Sequence, residues 1–353
     1  MHVGLICGSI PSVRCGVADY SRLLADALEV AGIRITRLDG SDWSLRALHR
    51  MLKRADRQGC DALHIQYPAM GFGWSLVPHA IGYFARVPTV VTLHEFDLSV
   101  LPRKISIAAF AGGVRHLVFT TDRERAAFVR RMSWVSPRTS IVPIGSNVPF
   151  LAPCPPTEPV IACFGQVKAN RGWEAFIELA RHAQAGGRNY RFRMIGSAIP
   201  GQQEYLATLR RSTANLPIDW QLDMAPDRVA VALSTATLAY LPYPDGVSAR
   251  RGSLLAAMGN GLPIVTSSGA ACPPELKEIV HLVHGTSEAL GRVDAIVRAP
   301  ALARRMRRAG TTFAARFGWD SIAQKHAAIY ERVLRRSSPP ASEETRPYDV
   351  SCH

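Results

Sequence analysis

The sequence predicts an α/β protein built as two doubly wound halves, and three observations carry that prediction. Short apolar, β-branched runs alternate with amphipathic helical stretches along most of the 353 residues, the pattern of parallel strands joined by helical crossovers. The alternation runs twice, interrupted at 150–159 (FLAPCPPTEP) by a proline-rich connector, where a chain of this length divides into domains of ordinary size. Several strands also end in polar or glycine-rich residues, where open parallel sheets place their ligand groups.

The first half, 1–150, opens with a buried strand at 2–7, a glycine-containing loop at 8–16 and a helix from about Ala18. In that helix Tyr20, Leu23, Leu24 and Leu28 recur at helical spacing. Residues 44–57 (SLRALHRMLKRADR) predict an amphipathic helix with Leu45, Leu48, Leu52 and Ala55 on one face. Arg46, Arg50, Lys53, Arg54 and Arg57 cover much of the rest, and two uses stay open for them. They form a solvated face, or they contact an anionic membrane, with Arg103 and Lys104 of 101–110 (LPRKISIAAF) extending that surface. Strands at 62–67 and 89–93 end in Gln66-Tyr67-Pro68 and His94-Glu95-Phe96-Asp97. A strand at 117–120, a basic helix at 122–132 and a strand at 140–143 follow, with Ile144-Gly145-Ser146-Asn147-Val148 as the closing loop.

After the linker, 151–159, the second half runs from 160 to 315. Strands are expected at 160–165, 191–196, 218–222, 237–241, 264–267 and 280–284. Helices are expected at 172–185, 202–213, 226–235, 253–258, 287–298, 301–316 and 319–335. The stretch 237–268 stands out. Its strand is ended by Pro242, Pro244 and Gly246, and its helix is closed by Gly259, Asn260 and Gly261. Arg250 and Arg251 stand just before that helix, beside Gly252, the Ser253 hydroxyl and the Leu254 N–H. Unpaired N–H groups and a partial positive charge at a helix N-terminus suit a phosphate or diphosphate. An ordinary solvated basic loop would look the same locally. Residues 337–353, rich in Pro, Ser and Glu, read as a disordered tail.

Composition narrows the field. Apolar residues make 47% and charged ones 20%, a globular balance, and no apolar run nears the ~18 residues of a membrane span. The net charge of +14 favours anionic partners. RNP, KH and helix-turn-helix signatures are missing, so no nucleic acid is expected. Seven scattered cysteines without C-x-x-C suggest reduced, cytosolic thiols, and the first residues read as a strand rather than a signal peptide. His281 and His284 lack a carboxylate partner, and no D-x-D pair ends a strand, so no metal is expected. Walker A, G-x-S-x-G and G-x-G-x-x-G patterns are absent, which leaves no cofactor to expect.

Residues 254–265 (LLAAMGNGLPIV) resemble the second half of the nucleotide-sugar signature of retaining GT-B glycosyltransferases of family 4, E-G-x-G-x-P-x-x-E-A-M-A-x-G-x-P-V-V. The two family glutamates fall at Ser248 and Ala256, and 248–253 (SARRGS) follows the S-x-R-R-G-S variant of some bacterial members. Further resemblances come in order: 14–20 (RCGVADY), HIQYP, TLHEFD, PIGSNV, and 165–172 (GQVKANRG) against G-R-L-x-x-x-K-G. In that last loop Gln166 replaces the family arginine and Arg171 the lysine. The terminal segment FGWDSIAQKHAAIYERVL is similar to the helix that crosses back to the N-terminal domain, here 316–336.

The resemblance implies a GT-B fold, two Rossmann-like domains facing across a cleft. It implies a retaining glycosyltransferase moving a sugar from a UDP-, GDP- or dTDP-linked donor to a saccharide, lipid-linked or small-molecule hydroxyl acceptor, in bacterial surface polysaccharide or glycolipid synthesis. The location expected is the cytoplasm, free or held peripherally on the inner face of an anionic membrane. His94, Arg171, Arg250 and Arg251 take the catalytic roles. Donor contacts fall to Gly16, Gly165, Gln166, Lys168, Arg171, Ser248, Arg250, Arg251, Gly252, Ser253 and Leu254. Asp19, Tyr20, Gln66, Tyr67, Glu95, Asp97 and Asn147 fall on the acceptor side. Two alternatives stand beside this. Taken alone, a histidine placed like His94 is more often a structural one making backbone hydrogen bonds than a catalytic group, and the loss of both glutamates fits a catalytically silent nucleotide-sugar-binding partner of another transferase.

Overall fold

The computed structural model describes residues 1–8, 15–94, 96, 101–248, 251–270 and 272–336. The expected tail, along with Glu95, Asp97 and Arg250, lies outside the described residues. The chain divides into two compact units, Met1–Pro143 with Ile322–His353, and Ile144–Ser321.

In the first unit β1 (His2–Cys7), α1 (Gly16–Val30), β2 (Arg34–Arg37), α2 (Leu45–Arg57), β3 (Ala62–Tyr67), α3 (Val77–Phe84) and β4 (Thr89–Leu93) alternate. They are followed by α4 (Leu101–Ala108), α5 (Phe110–Gly113), β5 (His116–Phe119), α6 (Asp122–Val129) and β6 (Thr139–Ile141). The six strands form one parallel sheet in the order β2-β1-β3-β4-β5-β6. β1, β3, β4 and β5 are buried along their whole length, which explains their largely apolar character, and the polar residues they do carry, His64, Gln66, Thr92 and His116 among them, are buried too. The edge strand β2, RITR, is exposed at both ends and carries too little apolar patterning to be legible in sequence. Helix starts follow local chemistry. Ser44 accepts from the Ala47 N–H, and at α6 Thr121 caps the helix by accepting from Glu124 N, while the Glu124 carboxylate accepts from the Thr120 and Thr121 hydroxyls.

The second unit repeats the plan with β7 (Val160–Val167), α7 (Trp173–Ala185), β8 (Arg191–Ala198), α8 (Gln203–Ser212), β9 (Ile218–Leu222), α9 (Pro226–Ser234) and β10 (Leu238–Leu241). Next come α10 (Gly252–Gly259), β11 (Ile264–Ser267), α11 (Pro274–Lys277), β12 (His281–Val283), α12 (Thr286–Arg298), α13 (Pro300–Ala315) and α14 (Trp319–Arg335). Its parallel sheet runs β12-β11-β10-β7-β8-β9, the doubly wound order that reverses direction between its first and fourth strands, here β7 and β10. β7 extends two residues past its expected end, so Gln166 belongs to the strand rather than to the loop.

The connector groups with the second unit, which begins at Ile144, and the reason is visible at the end of α10. Asn260, fully buried, donates from its amide to the Pro149 and Ala256 carbonyls and accepts from Leu151 N. Phe150 sits so close to Gly259 that a Cβ there would lie 2.2 Å from its ring. The connector is therefore bound to the second unit by the same M-G-N-G segment that closes α10. α14 begins in the second unit, and from Ile322 onward it groups with the first.

Candidate functional site

The second unit holds a cavity of about 550 Å³ at the carboxyl ends of β7 and β10. This is the point where strand order reverses and a crevice opens between oppositely directed crossovers. Gly165, Gln166 and Arg171 line it from the β7 side, Leu241, Pro242 and Tyr243 from the β10 side, and Arg251, Gly252 and Ser253 from the start of α10. One feature brings the β7 and β10 loops together, and a second braces the β7 loop itself. Gly172 has φ +86°, and a Cβ there would lie 1.7 Å from the Pro242 carbonyl oxygen, so only glycine lets the two loops meet. The Trp173 indole N–H, buried beneath, donates to the Gln166 carbonyl at 2.9 Å.

Arg251 is the most constrained cation of the site. Its guanidinium lies 4.6 Å from the Tyr243 ring centroid, donates to the Gly246 carbonyl at 3.3 Å and pairs with the Asp245 carboxylate. The Tyr243 hydroxyl shares a 2.8 Å hydrogen bond with Ser253 Oγ, which ties the first turn of α10 to the strand end. Burial drives the Tyr243 phenol well above its ordinary pKa. Burial raises the Asp245 carboxyl, but the hydrogen bond from Arg251 leads the opposing influences, and the net direction is down. Arg171 and Arg251 also line an adjoining hollow of about 560 Å³ with Lys168, Asn170, Gln202, Pro244 and Asp245. The geometry thus gathers Gly165, Gln166, Lys168, Arg171, Arg251, Gly252 and Ser253 around one double cavity. First-turn N–H groups of α10, Leu254 included, have no intrahelical acceptor.

Not every expected donor residue joins them. Ser248 is half-buried, its carbonyl accepts from Arg251 N at 3.2 Å, and it lines neither cavity. Ala256, in the second glutamate slot of the family signature, is 1% exposed and packs in the core, so the slot holds no polar group toward a ligand. Asn147, expected on the acceptor side, lines the second unit's cavity with Gly145, Ser146 and Val148. That loop is held by the Trp319 indole N–H donating to the Ser146 carbonyl at 2.7 Å. Phe164, Ser197 and Tyr243 also line the cavity and were missed. Tyr243 could have been found from its place in the P-Y-P run directly after a strand.

The first-unit candidates form a buried polar network instead. His94 is 3% exposed, and its Nε2 donates to Gln66 Oε1 at 2.9 Å. The Gln66 amide reaches His64 Nε2 at 3.1 Å, His64 bonds Thr92 Oγ1 at 2.8 Å and the Tyr330 hydroxyl at 2.6 Å, and Tyr20 bonds His326 Nε2 at 3.3 Å. The Tyr20 ring meets His94 edge-on at 4.9 Å. Burial pushes His94 down to about 4 and His326 to about 3, and holds His64 well below the usual range. His94 is therefore a neutral, hydrogen-bonded imidazole at physiological pH. Tyr67 is packed among Phe72, His79 and Phe110, while Gly16 and Asp19 are exposed at the start of α1. Glu95, Asp97 and Arg250 lie outside the described residues.

No protein-family model matches the chain, and no curated protein matches it. Solved structures do. Sucrose-phosphate synthase from Thermosynechococcus elongatus shares 18% identity and a TM-score of 0.62 over 95% of this chain and 100% of that one. A glycosyltransferase from Rickettsia africae gives 11% and 0.67 over 95% and 99%. Anabaena HepE, solved with UDP and glucose, gives 15% and 0.62 over 94% and 100%. The fold is GT-B. Each GT-B unit accounts for one six-stranded sheet, and the double cavity lies on the second. Among the described residues no group of three or more metal-binding side chains occurs, and no helix is long and apolar enough to cross a membrane.

Proposed function

We propose that the protein is a retaining glycosyltransferase of the family 4 kind. It moves a sugar from a nucleoside-diphosphate donor to a saccharide or lipid-linked hydroxyl on the cytoplasmic side, in surface polysaccharide or glycolipid synthesis. The observation that carries this reading is the cavity at the β7/β10 reversal, lined by Arg171, Arg251 and the start of α10. Structures of HepE hold UDP, UDP-glucose, or UDP with glucose, which favours a UDP-linked donor over GDP or dTDP.

The difficult event is departure of the diphosphate from the anomeric carbon, which leaves negative charge on the leaving oxygens and positive character on the sugar. Groups fixed before the reaction and aimed at that developing charge lower the barrier without reorganising. Arg171 and Arg251 supply two such cations, and the first-turn N–H groups of α10 supply dipoles of the same sign. Arg250 is assigned to the same charge. His94, neutral and held by Gln66, can position but not protonate.

The test is turnover of a nucleotide-sugar panel by purified protein, with and without EDTA. Activity should survive EDTA, because the sequence carries no D-x-D pair at a strand end. Arg251→Ala should lower kcat/KM by about 2–4 kcal/mol of transition-state stabilisation, with Arg251→Lys recovering only part. An Arg251→Ala variant with near-wild-type turnover, or activity lost in EDTA and restored by Mg²⁺, would overturn this leaving-group chemistry. UDP binding without turnover of any donor would favour the silent binding partner, a reading that the apolar Ala256 keeps in play.

A further inference from the structure

One buried phenol in the second unit holds two of the groups that line the cavity at the β7/β10 reversal. Tyr243 stands two residues past β10 and is 6% exposed. Its main chain is closed into a turn: its N–H donates to the Leu241 carbonyl at 3.0 Å, and its carbonyl accepts from Gly246 N at 2.9 Å. Gly246 sits at φ +83°, and a Cβ there would lie 2.4 Å from Gly269 Cα, so this turn admits no side chain at its end. Backbone and burial together fix the ring. The Arg251 guanidinium lies 4.6 Å from its centroid, and its hydroxyl shares the 2.8 Å hydrogen bond with Ser253 Oγ.

The direction of that hydrogen bond follows from what each hydroxyl has around it. Either oxygen can donate, but burial keeps the phenol protonated, and a buried O–H must find an acceptor. Among the described residues Ser253 Oγ is its one hydrogen-bond partner. A bond donated by Ser253 instead would leave the phenolic proton sealed in protein and unpaired, which costs more than the bond returns. Ser253 is only half-buried and lines the cavity, so its own proton is free to turn to the open side. It stands there in the first turn of α10, among N–H groups that have no intrahelical acceptor.

We propose that Tyr243 is a positioning residue: by donating to Ser253 Oγ it turns the Ser253 O–H onto a phosphoryl oxygen of the bound ligand. Its ring meanwhile holds Arg251 beside the same group, so one side chain aligns a neutral donor and a cation. Tyr243 acts through Ser253 and makes no contact of its own with the phosphate. The relay rests on the nucleoside-diphosphate reading of the cavity.

Calorimetric titration with UDP, GDP and dTDP identifies the tightest diphosphate, which is then compared with its own nucleoside, a ligand without phosphate. Tyr243→Phe keeps the ring beside Arg251 and removes only the O–H. It should weaken the diphosphate by about threefold or more and leave the nucleoside unchanged. Ser253→Ala should weaken the diphosphate at least as much. The double variant should match Ser253→Ala to within about twofold, because without the serine hydroxyl the phenol has nothing to aim. Wild-type diphosphate affinity in Tyr243→Phe, losses that multiply in the double variant, or equal losses of diphosphate and nucleoside would each overturn the relay, while binding of a diphosphate by the wild type keeps the cavity reading. Wild-type protein that binds none of the three diphosphates overturns that reading and the relay together.

Discussion

Acid should weaken the first unit before the second, because its sheet is built over neutral buried histidines. The perturbation is a pH drop from 7.5 to 5.5. An unfolded histidine titrates near 6.5, whereas folded His94 titrates at about 4 and His326 at about 3, both lowered chiefly by burial, and His116 at about 4 for the same leading reason. The folded values lie below the unfolded one, so the native contribution is complete above pH 6.5. It drains away as pH falls from 6.5 toward the folded values, because only the unfolded chain binds the protons. For His94 alone the loss at pH 5.5 is about 1.4 kcal/mol, with a slope near ~1.2 kcal/mol per pH unit. His326 and His94 feel each other, so the three do not sum independently, and roughly 4 kcal/mol is the ceiling for them together. That is a large part of a typical domain's ~5–15 kcal/mol. Hydrogen exchange, corrected for intrinsic rates, reads it locally. Protection in β3 and β4 should fall by one to three orders of magnitude between pH 7.5 and 5.5, while β7 and β8 change far less. His94→Gln, able to keep a donor toward Gln66, should flatten the first-unit slope by about one proton. Protection in β3 and β4 that is indifferent to pH, or a slope identical in His94→Gln, would refute the reasoning.

Two further outcomes follow from the second unit. Asp245 pairs with Arg251, so on the proposed reading a diphosphate competes with that carboxylate for the guanidinium; Asp245→Asn should tighten UDP binding severalfold by titration calorimetry, and weaker binding would mean Asp245 aids the ligand instead. Gly172→Ala places a methyl 1.7 Å from the Pro242 oxygen at φ +86°, so thermal unfolding should show a loss of about 2 kcal/mol or more, and a neutral effect would show that the β7 and β10 loops need not meet.

The sequence alone determined the two wound halves, because parallel strands buried on both faces must be apolar runs and their crossovers must be amphipathic. It also determined the cationic character of the β7 and β10 loops, since Arg171 and Arg251 stand beside glycines and prolines that can only be turns. Strand order is another matter. Nothing local says that β10 rather than β8 closes the cavity on β7, and that pairing brings residues 165–171 to residues 241–253. Tertiary packing likewise decided which motif residues face a ligand. The sequence places Ser248 and Ala256 in signature slots, but α10 turns Ala256 into the core because its other neighbours, Leu254, Leu255, Ala257 and Met258, are all buried there too. His94 and Gln66 look like cleft groups at strand ends; the structure commits them to each other and to His64, because a polar group sealed inside a sheet must find its partner within the protein.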